Sequence, residues 1–448
     1  MSRMYLNVQG KTKIPWTSVE SFVFRFQTRI YKASKDKNYG KMRALQTRLA
    51  QSLHARLLAV RRVTMDNSSF SMELVRTLKF DASIRGTKCS LDTKCRDRAK
   101  QALAKMVLEP EWEARFEPHS YGFRPGREAE DAMEALASLA NAWQAVLLAD
   151  IKWHRINTSC LLEKLDISCP VMRNQIKAWL KADIMTGFRP GPLAPLLANI
   201  ALHGMENAAQ QLAEGRVILV RYADDFVVLH KAPRADAKRN KKEQTRNARR
   251  VVQGAASRLS QWLQPMGLHF VPSTQRTTGF HFLAHDGRVA PSKKSQETLL
   301  SQTRFVIQSH KGSAVHRLIS ALVPLISGWG NYFKFSECSA IFHRMDFRIF
   351  QQLRAWVFRR HPTWGRQRIK HKYFPENQTW LGFHGKKYRD NWVLYDSYMS
   401  KDTRRQFNLI RLSWIKKSCK HEVVRSSPFD GDLIYWSLRL YHKNRGHV

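Results

Sequence analysis

The sequence predicts an α+β domain built in layers, followed by a helical and strongly basic region. Three observations predict it. Between Arg96 and Asp286, segments of helical periodicity alternate with short β-rich runs. After Pro291 the periodicity is largely helical, with aromatic residues set among Arg and Lys. The charge is one-sided: 76 Lys+Arg against 36 Asp+Glu give a net +40 over 448 residues.

The elements follow in order. "SVESFVFRFQTRIYKA" spaces Val19, Val23, Phe26 and Ile30 as one helical face. "MRALQTRLAQSLHARLLAVRRV" repeats the pattern with Leu45, Leu49, Leu53 and Leu57, and Arg and Lys fill the outer faces of both. Asp66 to Cys95 has no period and reads as loop with at most short strands. The helix "RDRAKQALAKMVLEPEWEARF" ends near Glu117-Pro118, and the loop "SYGFRPGR" leads into "EAEDAMEALASLANA", a helix with acids in its first turn. "AVLLADIKWHRI" is a strand with Asp150 just past its apolar run, and "RNQIKAWLKADIM" is helical. "TGFRPGPLAPLLANIALHGMENAAQQLAEG" is a loop entering a helix. "VILVRYADDFVVLH" is two β-rich runs broken by Ala223-Asp224-Asp225, a hairpin candidate. A charge run then becomes a helix with Val252, Ala255, Ala256, Leu259 and Leu263 on one face, and short strands follow at "LHFVPS" and "GFHFLA". "SAVHRLISALVPLISGWGNYFKF" and "AIFHRMDFRIFQQLRAWVFRRHPTWGRQRIKHKYF" are helical, and the remainder mixes Trp, Tyr and Arg with turn signals. Domain cuts are expected near 286 and 372.

Composition narrows the function. With 43% hydrophobic and 11% aromatic residues the chain folds and is not a disordered basic tail. A net +40 repels itself unless a polyanion neutralises it, so nucleic acid is the leading partner and an anionic membrane the weaker one. No apolar run approaches the roughly 20 residues that span a bilayer. The six cysteines are scattered without a CxxC pair, which argues against a zinc site or disulfide framework and suits a reducing compartment. The N-terminus lacks a secretory or transit signal. A bacterial cytoplasm, or the interior of a chloroplast or mitochondrion that encodes the protein, is expected.

The candidate chemistry lies in three carboxylates. If the Asp150 strand neighbours the hairpin, Asp150, Asp224 and Asp225 converge at one sheet end. They could then hold two Mg²⁺ ions about 4 Å apart, one activating a 3′-hydroxyl and one stabilising a leaving pyrophosphate. The plain alternative is a pair of turn aspartates.

Longer motifs bear on that choice. "RYADDFVVLH" resembles the Tyr-x-Asp-Asp hairpin of reverse transcriptases. "RDRAKQALAKMVLEPEWEARFEPHSYGFRPGR", "PLLANIALHGME", "SGWGNYFKF" with "WVFRRHP" and "IKHKYF", and "RSSPFDGDLIYWSLRL" are similar, in matching order, to blocks of the maturase–reverse transcriptases of mobile group II introns. The resemblance implies a right-hand, polymerase-like α+β fold. Residues 1–140 would form N-terminal helices and fingers, 141–286 a palm, 287–371 a helical thumb or maturase domain X, and 372–448 a small basic, DNA-binding-like region. It implies that Asp150, Asp224 and Asp225 are the metal ligands and Tyr222 lies beside the primer end. Arg124 and Arg127 would lie near the template. The basic faces with Arg61, Arg62, Arg359, Arg360, Lys370 and Lys372 would meet RNA by stacking and phosphate contact. Partners implied are the intron RNA and, in mobile members, target DNA; some relatives pair as homodimers through the fingers.

The departures from the family fall on polymerase chemistry. Where the family has an aromatic wall under the incoming sugar, this chain has Arg155, followed by Ile156 in place of an Asp. Arg189 and Pro190 replace a Gln and a Gly of a turn that approaches template and nucleotide; proline removes a donor and adds bulk there. The fingers hairpin expected between Asn67 and Asp97 is not recognisable, Thr274 stands for a Lys, and Ala284 for a Gly. No His-Asn-His endonuclease motif follows the C-terminal region. Two readings result: a maturase that binds intron RNA and promotes its splicing with a degenerate polymerase site, or an active RNA-directed DNA polymerase using two Mg²⁺ ions.

Overall fold

The computed structural model describes residues 14–64, 71–81, 91–139, 143–153, 156–167, 169–182, 191–211, 217–231, 241–273, 281–282, 285–286, 290–334, 336, 338–382, 385–400, 403–416, 427–432 and 434–436. Two compact units emerge, neither continuous in sequence. Unit 1 comprises Met1–Glu128, Ala149–Ser273 and Val423–Val448; unit 2 comprises Ala129–Leu148 and Thr274–Glu422.

Unit 1 begins with α1 (Trp16–Lys35), α2 (Tyr39–Gln51) and α3 (Leu53–Thr64), which pack on α5 (Leu91–Arg115). The second helix expected from the leucine spacing is therefore two. Ser52 separates them with an extended backbone, φ −72° and ψ 140°. Its hydroxyl donates to Leu49 O at 2.9 Å and accepts from Ala55 N at 3.1 Å, closing one helix and opening the next. The change of direction leaves Leu53 outside the core. A short helix, α4 (Met72–Thr77), forms in the stretch expected to be loop, with Ser71 as its N-cap.

On α1, Val19, Val23 and Ile30 are buried as expected, but between them it is Gln27 that is buried and Phe26 is only partly so. The cause lies across the interface. Pro110, inside α5, has no N–H, so the Met106 carbonyl four residues earlier loses its helical donor. Gln27 Nε2 supplies one at 3.0 Å, and Ser34 Oγ donates to Glu111 O at 3.1 Å nearby. Gln27→Leu is expected to destabilise the protein by about 1–3 kcal/mol, because it strands a buried carbonyl. Urea unfolding checks this, with exposed Gln51→Leu as the neutral control.

The sheet of unit 1 uses β1 (Trp143–Lys152, joining this unit at Ala149), β2 (Val217–Tyr222), β3 (Asp225–Lys231) and β4 (His269–Ser273), in the order β2-β3-β1-β4. Helices α7 (Thr158–Leu165), α8 (Pro170–Lys181), α9 (Ala194–Leu202), α10 (Met205–Gln210) and α11 (Lys241–Leu263) accompany it. Asn157 caps α7, a two-turn helix too short to show a period in the sequence. On α11, Val252, Ala255, Leu259 and Leu263 are buried as their spacing requires.

The C-terminal stretch returns to unit 1. Phe429 lies 6.2 Å from Phe24 of α1, and Gly126 (φ +70°) leaves room for the Trp436 ring, which a Cβ there would meet at 2.3 Å.

Unit 2 contains α6 (Ala129–Leu139) and a small sheet, β5 (His281–Phe282), β6 (His285–Asp286) and β7 (Ala290–Pro291). Its helices α12 (Lys293–Ser309), α13 (Val315–Phe333), α14 (Ser339–Arg360) and α15 (Arg366–Tyr373) follow. The periodicity expected to run through to Phe374 is broken between α14 and α15, where Pro362 and Gly365 intervene. Two antiparallel pairs come next, β8 (Thr379–Leu381) with β9 (Lys387–Arg389) and β10 (Tyr395–Ser400) with β11 (Thr403–Asn408). Leu394, Leu409 and Leu412 share one core with Leu318, Ile349 and Tyr373. Asp346 of α14, buried, accepts from Leu412 N at 2.8 Å and Ser413 N at 2.9 Å. The sequence cut near 372 thus falls within a single packed core. No helix among the described residues is long and apolar enough to cross a membrane.

Candidate functional site

The hairpin is built as its sequence suggests. Val217↔His230 through Tyr222↔Asp225 are paired, which leaves Ala223-Asp224 as a two-residue turn. Ala223 has φ +56° and Asp224 does not, the pattern of a turn that favours Gly at its first central position. The neighbour of β3 is the Asp150 strand, and Ile151 N donates to Asp224 O at 3.0 Å. The adjacency that would bring the three aspartates to one sheet end is present in the backbone.

Among the described residues no three His, Cys, Asp or Glu side chains are disposed to hold a metal ion. Asp150 pairs with Lys152, two residues along the same strand and so on the same face. That carboxylate, with Asp224 and Asp225 beyond it, raises the Lys152 pKa. Three aspartates are oxygen donors of the kind Mg²⁺ takes, and in this conformation Lys152 engages one of them. Arg155, Arg189, Pro190, Thr274 and Ala284 lie outside the described residues. Tyr222 is partly buried at the end of β2.

Beneath the turn lies a buried ionic network that sequence reading missed. Arg221 is 1% exposed. Its guanidinium donates to Asn199 Oδ1 and Ala223 O, both at 2.9 Å, and to Ser120 Oγ at 2.6 Å. The "SYGFRPGR" loop is laid alongside: Ser120 bridges Arg221 in parallel, Tyr121 N donates to Arg221 O at 2.9 Å, and Asn199 Nδ2 donates to Gly122 O at 2.8 Å. Gly122 passes so close to the turn that a Cβ there would sit 2.1 Å from Ala223 N. Gly122→Val should prevent stable folding, visible as loss of the cooperative thermal transition.

Arg124 and Arg127, expected at the template, are placed inside the protein. Arg124 grips Glu113 through Nε and Nη2 at 3.0 and 2.9 Å, and its Nη1 donates to Glu117 O and Ser120 O. Arg127 donates to Pro118 O at 2.6 Å. Loop carbonyls take these donors because a buried guanidinium left unpaired is costly.

The same network caps two helices. Glu117 Oε1 accepts from Gly204 N and Glu206 N at 3.0 and 2.9 Å, at the start of α10. Lys164 donates to Ala201 O and His203 O, at the end of α9. Burial lowers the Lys164 pKa to about 8 and the His203 pKa to about 4; Lys164, Arg115, Arg221 and Arg124 press on His203 in the same direction. Burial raises the Glu117 pKa, and its Oε2 lies 3.9 Å from His203 Nδ1. The sign for His203 is fixed by its depressed value: between pH 4 and 6.5 the unfolded chain binds more protons, so stability falls as pH drops through that window. His203→Gln should remove this component, worth up to about 3 kcal/mol, from the difference between unfolding curves at pH 7 and pH 4.5.

Unit 2 presents a basic groove. Between α12 and α14 a cleft of ≈ 800 Å³ is lined by Arg304, Lys311, Arg348, Arg359 and Arg360 and, among the described residues, by no carboxylate. Arg304, Arg348 and Arg359 are exposed, whereas Arg360 is tied to Ser313 O at 2.5 Å and lies over Trp356. Arg304, Lys311 and Arg348 were missed in sequence. The signal for Arg348 was its helical spacing with Arg359, which puts both on one face of α14, whereas Lys311 lies just past the end of α12. Beyond α14, Trp364 stacks on His361 at 4.0 Å, with Arg368 4.2 Å and Lys372 5.0 Å from its ring. Lys370 pairs with Glu376 and lies 4.9 Å from Trp392. Arg61 pairs with Glu20 at 2.8 Å and covers Trp16, and Arg62 sits at the partly exposed end of α3.

Comparison with known proteins accounts for both regions. Residues 12–88 match the N-terminal domain of reverse transcriptase, and 79–285 match the reverse transcriptase (RNA-dependent DNA polymerase) model. Residues 297–374, which contain the basic groove, match the maturase-specific domain of group II introns. Maturase-like protein 1 of Euglena gracilis is 23% identical over 385 residues, covering 74% of this chain and 79% of its own. With the reverse transcriptase and maturase-specific domains in that order, and a hairpin and basic helices that fall within them, the chain belongs to the group II intron maturase–reverse transcriptase family.

Proposed function

We propose that the protein binds structured group II intron RNA and promotes its splicing, with a polymerase centre that no longer extends primers. The groove of unit 2 carries the reading: among the described residues it has five cations and no carboxylate, within the region that matches the maturase-specific domain. A-form and folded RNA are met mainly through phosphates and shape, which exposed arginines on rigid helices suit. The right-hand arrangement of fingers, palm and thumb belongs to this proposal. So does the use of the same phosphate contacts on target DNA. Loss of polymerisation is supported by Arg155, Arg189 and Pro190 at family positions for sugar and template.

One observation favours the second reading, an active polymerase: the Tyr-Ala-Asp-Asp hairpin is complete and firmly braced. A paired assay separates them. Full-length protein should accelerate splicing of a group II intron at low Mg²⁺, with Asp224→Ala as effective as wild type, and should incorporate no nucleotide on a primed RNA template. Primer extension abolished by Asp224→Ala would establish the polymerase. Equal binding to every RNA, without an effect on splicing, would refute the maturase reading.

A further inference from the structure

Among the described residues, six other than glycine have positive φ: Lys37, Phe123, Asp166, Ala223, Asn377 and Trp392. Five have a local reason. Lys37 follows α1, Asp166 ends α7, Ala223 makes the hairpin turn, and Asn tolerates this region. Trp392 is held by packing, 5.5 Å from Phe350 and 6.4 Å from Phe374. Phe123 has no such account. It is 58% exposed at φ +60°, and among the described residues its ring has no aromatic partner.

A bulky residue in this conformation costs roughly 1–3 kcal/mol and persists only where its surroundings dictate it. They do so on both sides. Gly122 abuts Ala223, Arg124 is fixed by Glu113, Glu117 O and Ser120 O, and Gly126 is covered by Trp436. The loop thus holds one aromatic ring in water, rigidly, next to the hairpin turn of a protein with net charge +40. Unpaired bases offer a π-face to such a ring whatever their sequence, and a preformed platform loses little entropy on stacking.

We propose that Phe123 is a stacking platform for an unpaired base of the bound RNA. The inference rests on the RNA-binding reading above and adds a contact outside the groove of unit 2. The probe is an RNA hairpin whose single-stranded extension carries 2-aminopurine, titrated into full-length protein. Wild type should quench the fluorophore. Phe123→Ala should abolish the quench and weaken binding about ten-fold, the loss of one base–aromatic stack, and Phe123→Trp should restore both. Phe123→Gly should also lose the quench, yet unfold at an equal or higher urea concentration, because glycine adopts φ +60° without strain. That opposition of sign is not produced by a purely structural phenylalanine.

Failure of wild type to bind the hairpin would refute the RNA-binding reading and this inference with it. Normal binding and quench in Phe123→Ala would refute the inference alone. An equal loss of affinity for a blunt duplex would mark general damage to the loop, and would overturn it too.

Discussion

Replacing Arg304, Arg348 and Arg359 together by glutamine is expected to weaken binding to structured RNA by about 100-fold at 0.1 M salt. The figure follows from counterion release. Each lost phosphate contact removes roughly 0.7 to 0.9 from the slope of log affinity against log salt, so three contacts are worth about two decades between 1 M and 0.1 M. These three side chains are exposed and line the groove, so the fold should survive. Arg360 is left in place because its bond to Ser313 O makes it part of the scaffold. Filter binding across a salt series checks both parts: the variant loses affinity at low salt, its slope is shallower by about two, and the two curves converge near 1 M. An unchanged slope would move the RNA contact away from this groove.

Arg221→Met is expected to cost about 3–5 kcal/mol of stability. The guanidinium is fully buried and satisfies Asn199, Ala223 and Ser120 at once. Burial lowers its pKa to about 10, so it remains charged at neutral pH, where it balances Glu117, Asp224 and Glu206. Methionine fills the space but leaves those acceptors and carboxylates without their cation. Asp224→Asn, at the partly exposed turn, should change stability little. Urea midpoints for the two variants decide the matter. A large loss at Asp224 and a small one at Arg221 would mean that the turn, not the brace beneath it, holds the hairpin. The expected order separates two reasons a sequence can keep a polymerase hairpin: Arg221 matters to every molecule that folds, Asp224 only to one that polymerises.

Much of the fold was legible where a side-chain period met a long element. Four of the five apolar positions expected on one face of α11 are buried, and the antiparallel hairpin formed as its two runs suggest. The misses have physical causes. Ser52 splits a continuous leucine pattern because a cap competes with periodicity at one residue. Gln27 replaces Phe26 in the core because a proline in a different helix, 83 positions away, needs a donor. Residues after Gly382 read as turns but build strands, since pairs such as Tyr395↔Asn408 are set by their partner strand and not by a period. Of the site, the adjacency of Asp150 to the hairpin was a condition that the sequence left open and that the strand order of the sheet meets. The internal role of Arg124 did not, because an arginine in a Gly/Pro loop looks alike in sequence whether it faces a phosphate or Glu113.

The return of the C-terminal stretch to unit 1 has a consequence for synthesis. Phe24, Tyr31 and Gly126 emerge from the ribosome early, whereas Phe429, Asp430 and Trp436, which face them, come out after all of unit 2. Unit 1 therefore waits, part assembled, for some 300 residues of translation, about 15 to 60 s at ordinary elongation rates. During that interval the patch around Phe24 and Gly126 is open to other chains or to chaperones. A nascent chain stalled before Ser427 would keep it open, so the stretch that carries Phe429 and Trp436 also acts as a seal on α1.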